Sequence, residues 1–326
     1  MEAMPLRDNP FFILHASLED SHAVLQEKAA QAILLEDSEN AEKALSDLLH
    51  PQKRLEAELG WFPETSPDEI ETILSCTQTG GVLPDFHTDS CIALLNACRC
   101  ILRCWPDKFS EGMTGIGLCL TGALSQISTE QVMEELNRAR RISGFPEVKN
   151  PELIDDYLLK QRDDILGGFL ALMQKAEKKE AAKAASSLAD AYCSAEQPYA
   201  RNLFIQKIVD AHMLTVADRE KEMLQKLPDE AERDYDVLIL IYDLKEWDSL
   251  SAPRRKICKA RGLKDTTSQK LLSALVPYLN KKLKKDLPSA ARLLKTILEV
   301  FRDLPDDDLE QFKKTYNRLN RLNLPL

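Results

Sequence analysis

The sequence predicts an all-α protein, a three-helix N-terminal unit followed by a larger multi-helix body. Three observations carry this. Leu, Ala, Glu and Lys dominate, all of them residues that lose little on entering a helix. Gly supplies only 11 of 326 residues, which leaves few of the tight turns that join strands. Apolar residues recur at helical spacing, and alternation of β-branched residues is almost absent. At 44% hydrophobic and 29% charged, the composition suits a soluble globular chain, long enough for two or three domains. The organisation reads as 1–64, 65–175 and 176–326.

The elements follow in order. Asn9 is a good N-cap, and Pro10 stands at the first helical position, where its missing N–H costs nothing. Phe11 to Leu14 then make a short apolar helix. Ser17 to Asp20 reads as a capping-box turn, with Ser21 a second cap. His22 to about Leu35 is helical, with Leu25, Ala29, Ala32 and Ile33 on one face. After the polar break Glu36-Asp37-Ser38, a third helix carries Ala41, Ala44, Leu45, Leu48, Leu55 and Leu59 on one side, and stops at Gly60 before Pro63.

Further on, Ser66-Pro67-Asp68-Glu69 opens a helix that ends near Gly80-Gly81. Helices are expected from about Asp89 to Trp105 and from Ser128 to Ser143, ended by Gly144, with the small apolar run Ser110–Gly122 between them. Asn150-Pro151-Glu152 starts a helix to about Lys175. The Ala-rich, charged run Ala176–Ala185 reads as a continuation of it or a solvated connector. Tyr199–Leu214 and Ala217–Leu227 read as two helices. The apolar run after Asp236 (VLILIY) could be a strand, but no partner strand is visible, so a buried helix is expected. Ala252-Pro253 is expected to open another helix, followed by Thr266–Leu279, Pro288–Leu304 and Asp306–Asn320.

The first sixty-odd residues resemble a J-domain. Asn-Pro-Phe-Phe-Ile-Leu14 is similar to the opening "dPYeiLG" helix, and Ala44-Leu-Ser-Asp-Leu-Leu-His-Pro-Gln-Lys-Arg54 is similar to the third-helix signature "ayevLsDpekR". The resemblance implies a J-domain-like three-helix unit, here degenerate. The family's His-Pro-Asp tripeptide, which triggers ATP hydrolysis by a DnaK-type chaperone, is missing; the loop reads Leu35-Glu-Asp-Ser-Glu-Asn40. The family's basic second helix is here nearly neutral, with His22, Glu27 and Lys28. His50-Pro51 lies inside the third-helix signature and is followed by Gln52, so it is not the trigger. A second stretch, Trp247-Asp-Ser-Leu-Ser-Ala-Pro253 to Gly262-Leu-Lys-Asp265, resembles the tail of a group of bacterial proteins that join a J-like N-terminus to a long helical region. That likeness implies a bacterial cytoplasmic protein and no particular reaction.

Candidate chemistry is sparse. Cys76, Cys91, Cys98, Cys100, Cys104 and Cys119 cluster in one region without a Cys-x-x-Cys pair, and His87 is the only nearby imidazole. They read as reduced, buried small hydrophobes. Gly115-x-Gly117 lacks the third glycine and the Lys-Ser/Thr of a phosphate loop, so its small residues read as close helix packing. No signal peptide and no span of 18 apolar residues is visible. No cofactor, metal or catalytic set is expected, and the chain is not read as an enzyme. An enzyme with a site assembled from dispersed residues of the helical body is the remotest alternative.

Charge is segregated. The formal net is −10, with a pI near 5.2, which disfavours general nucleic-acid binding. Between Lys245 and Lys285, twelve Lys and Arg oppose three acids. Arg254, Arg255, Lys256, Lys259, Arg261 and Lys264 form one cluster and Lys281, Lys282, Lys284 and Lys285 another. They read either as the exposed face of two helices that neutralises neighbouring acidic helices or as a dock for an acidic protein or a phosphate backbone. The expected function is a non-catalytic adaptor or chaperone-like interaction protein. A co-chaperone acting on a DnaK-type partner through a non-standard trigger near Asp37 is the alternative.

Overall fold

The computed structural model describes residues 6–35, 38–63, 65, 67–79, 88–104, 112–194, 202–232 and 236–321. Glu36, Asp37, Gly80, Gly81, His87, Trp105, Pro106 and Tyr199 lie outside them. The described residues form fifteen α-helices and a short 3-10 turn, and none is in a strand. The chain divides into two compact units, Met1–Phe109 with Cys119–Leu172, and Ser110–Leu118 with Met173–Leu326.

The first unit begins with α1 (Pro10–Ile13), α2 (His22–Leu35), α3 (Ser38–Leu49) and α4 (Pro51–Leu59). The single third helix expected over Ala41–Leu59 is two helices. Pro51 cannot supply the N–H that a continuous helix needs, so His50 turns extended and its ring nitrogen Nδ1 accepts from the Lys53 N–H as an N-cap. Ser17 and Asp20 close a turn on each other through Ser17 N–H to Asp20 Oδ2 at 2.8 Å, and Ser21 is the cap of α2. α5 (Pro67–Thr79) and α6 (Cys91–Cys104) follow, then the unit's share of α7 (Met113–Gln126), α8 (Thr129–Ser143) and α9 (Pro151–Lys175). α8 has a full capping box, Ser128 with Gln131, and ends on left-handed Gly144. Phe11, Leu14, Leu25, Ala29, Leu48, Trp61, Phe62, Ile73 and Ala93 form the centre of its core. The small apolar run from Met113 to Gly122 lies in α7, and among the described residues no packing neighbour comes within 4 Å of a Cβ built on Gly115 or Gly122, so close packing there does not require these glycines. The close approach is at Gly168, where Leu102 Cδ1 would stand 3.2 Å from a Cβ.

The second unit holds α10 (Lys178–Ser194), α11 (Leu203–Glu232), α12 (Val237–Ala260), α13 (Thr266–Lys285), α14 (Leu287–Val300) and α15 (Asp306–Asn320). α12 is its axis, packing on α10, α11 and α14. The Ala-rich run is not a solvated connector: α10 buries Ala181, Ala184, Ala185, Leu188, Ala189 and Tyr192, a stripe at helical spacing. The described part of the stretch expected as two helices, from Leu203 to Leu227, lies in one, because α11 runs unbroken over thirty residues. Pro253 does not open a helix; it lies buried inside α12, whose tertiary contacts outweigh the lost backbone bond. Trp247, Leu240, Leu244, Leu275, Leu294, Ile297 and Phe301 fill this unit's core. No helix among the described residues is long and apolar enough to cross a membrane.

Candidate binding site

In the first unit, α1 is fastened before it contributes side chains. Asn9 Oδ1 accepts from the Phe11 N–H at 2.9 Å, and its Nδ2 donates to the Ala57 carbonyl on α4 at 2.9 Å. The helix closes with two paired bonds, Ala16 N–H to Phe11 O at 2.8 Å and His15 N–H to Phe12 O at 3.1 Å. Such a closure needs a left-handed residue between them. His15 takes it, with φ of 49°, the one non-glycine residue of positive φ among those described. Lys28 Nζ donates to the His15 carbonyl at 2.8 Å and to Asp20 at 2.7 Å, holding the turn on α2.

Beneath this turn lies a buried charge cluster. Glu58 is 1% exposed and accepts from Arg54 Nε at 2.7 Å and from Arg140 Nη2 at 2.7 Å and Nε at 3.0 Å. Arg54, 2% exposed, lies 3.5 Å from the centre of the Phe145 ring. Burial lowers the Arg54 pKa from its ordinary value, and Glu58 works against that fall. Glu58 thereby joins α4 to α8 across 82 residues of chain. Asn96 Nδ2 fixes the following link by donating to the Leu59 and Trp61 carbonyls at 3.0 and 2.7 Å.

These anchors frame a cavity of about 330 Å³. Phe11, Trp61, Phe62, Ile70 and Ala139 give it apolar walls, and His15, Glu19, Lys28 and Glu71 stand among the polar groups that line it. The Phe11 and Trp61 rings are 5.9 Å apart and tilted. A second cavity of about 420 Å³ shares Glu135 and Arg138 with the first and adds Asp89, Ser90, Cys91, Gln131, Glu134 and Arg141. Glu135 accepts from the Ser90 hydroxyl and, at 3.4 Å, from the Ile92 N–H, a carboxylate at the start of α6. Burial first, and Glu135 second, push the Cys91 thiol up, which keeps it protonated. Cys98, buried, is pushed up to about 12 by burial and by its neighbours Cys119 and Cys100. No group of His, Cys, Asp and Glu that could hold a metal occurs among the described residues.

The basic segment is placed differently. The Arg255 side chain is fully buried; it stacks on Trp247 with Cζ 4.8 Å from the ring centre and donates to Asp248 and to the Ser251 hydroxyl. Arg254 bonds Glu220 at 2.6 Å and faces Asp265 at 3.6 Å. Lys256 reaches Asp190 at 2.6 Å and the Ser186 hydroxyl at 2.9 Å. Lys259 lies 3.7 Å from Asp303 and is largely exposed, and Arg261 and Lys264 are exposed. Of the six, three thus bind acids and hydroxyls of their own unit at close range, and three face outward. No family model, curated protein or solved structure matches this chain.

The cavity leaves little mark in the sequence. The usable signal was the pair of aromatic doublets, Phe11-Phe12 and Trp61-Phe62, at the two ends of the N-terminal stretch. Nothing in the local sequence ties Glu58 to Arg140.

Proposed function

We propose that the chain is a non-catalytic interaction protein of the adaptor or chaperone-like kind, whose J-like unit binds a partner segment instead of triggering a DnaK-type ATPase. The observation that carries this is the cavity walled by Phe11, Trp61 and Phe62, at the low end of the size range of ligand pockets and apolar at its centre. The J-like reading draws support from the turn after α1. His15 holds the left-handed position where the "dPYeiLG" signature writes glycine. The signature's basic residue Arg54 is spent in the core on Glu58, which suits a structural role. The outward-facing Lys259, Arg261 and Lys264 supply a second contact, for an acidic partner.

Two measurements test this together. Fluorescence of the chain titrated with a library of short peptides carrying single aromatic or branched aliphatic residues should show saturable binding. The ATPase rate of a DnaK-type chaperone should be unchanged by the chain. Stimulation of that ATPase would overturn the reading, and so would a library without a binder.

A further inference from the structure

Resting on that reading, we infer that the cavity selects an anchor side chain flanked by Lys or Arg, a cationic peptide segment and not an acidic one. The walls set the anchor. A space of about 330 Å³ lined by the four rings of Phe11, Phe12, Trp61 and Phe62 with Ile70 admits an apolar anchor such as an aromatic ring, and aromatic side chains are enriched among the residues that carry binding energy.

The charges around it set the flank. Across the two cavities, acids at Glu19, Glu71, Asp89, Glu134 and Glu135 face cations at Lys28, Arg138 and Arg141. The cations are already committed. Lys28 is 2.7 Å from Asp20, Arg141 is 3.2 Å from Glu147, and Arg138 makes an interaction of its own. Glu135 is held by Ser90 and the Ile92 N–H. Glu19, Glu71, Asp89 and Glu134 are exposed, and among the described residues none of the four is in an ion pair. A ligand entering the apolar space therefore meets uncompensated negative charge at its edge. Such charge speeds the approach of a cation and repels an acidic competitor.

The test uses the full chain and two dye-labelled peptides with the same Phe anchor, one flanked by Lys and Arg, the other by Glu and Asp. Fluorescence anisotropy at low salt should show the cationic peptide binding at least about tenfold tighter, a gap that narrows at 150 mM salt as exposed charges are screened. Glu19→Lys with Glu71→Lys should close or invert the gap. Thr65→Trp, which puts a large ring into the cavity from a half-buried lining position, should abolish binding of both while the helical circular dichroism signal stays unchanged. Equal affinity for both peptides sinks the charge inference and leaves the cavity reading standing. Cationic binding that survives Thr65→Trp in a folded chain places the contact elsewhere and overturns both. Phenethylamine displacing the cationic peptide at matching concentration would replace the peptide by a small amine as the occupant.

Discussion

Both units bury an arginine against an aromatic ring, and these two arginines are built into their surroundings in opposite ways. Arg54 lies over Phe145 and shares Glu58 with Arg140, two guanidinium groups on one carboxylate that is 1% exposed. Arg255 lies over Trp247 and bonds Asp248, seven residues back on the same helix, whose side chain keeps 22% of its surface. Burial raises the Asp248 pKa, while Arg255 and Arg302 pull it down. Glu58 therefore ties distant chain segments, and water cannot replace either partner. Asp248 organises one helix and retains solvent and Arg302, 3.9 Å away, as substitutes. A buried charge is costly to strand only where nothing else can reach it.

The comparison breaks first at Glu58. Glu58→Gln leaves two buried guanidinium groups without their anion, and urea unfolding should show a loss of about 3–5 kcal/mol. Arg255→Met should cost less, about 1–2 kcal/mol, mostly the ring contact and the bond to Ser251, since Asp248 can turn to water. Equal losses for the two variants in the same titration would show that solvent access does not distinguish the clusters. The smallest effect is expected above the first cluster. His15→Gly removes a left-handed penalty of about 1–2 kcal/mol and adds the unfolded-chain entropy of glycine, about 0.5–1 kcal/mol. The net should be a gain of about 0–1.5 kcal/mol, read as a rise in thermal midpoint; a fall would mean that the His15 ring contributes to the turn through its contact with Phe12.

Local chemistry accounts for what the sequence shows in advance. Asn9-Pro10, Ser128 with Gly144, and Pro151 act on backbone groups within a turn of themselves, so the ends they mark are legible. Pro253 misleads because a proline's local cost can be outweighed by the burial of the helix that carries it, here through Trp247, Ala252 and Ile257, which only the assembled core supplies. The basic run from Arg254 to Lys264 reads as a surface in one dimension. In three, its partners Glu220, Asp190 and Ser186 come from α10 and α11, 34 to 70 residues earlier. The cavity was half legible: its aromatic doublets stand out, but Ile70, Glu135 and Ala139, which complete it, carry no local mark.

The span bridged by Glu58 also has a meaning in time. At about 5–20 residues per second of synthesis, Arg140 is made roughly 4–16 s after Glu58, 82 residues upstream. During that interval the carboxylate has only Arg54 beside it on α4, and the N-terminal helices lack the segment that seals their underside. The nascent chain thus passes through a stage in which this carboxylate is half-matched, and the arrival of α8 is the event that completes its pairing.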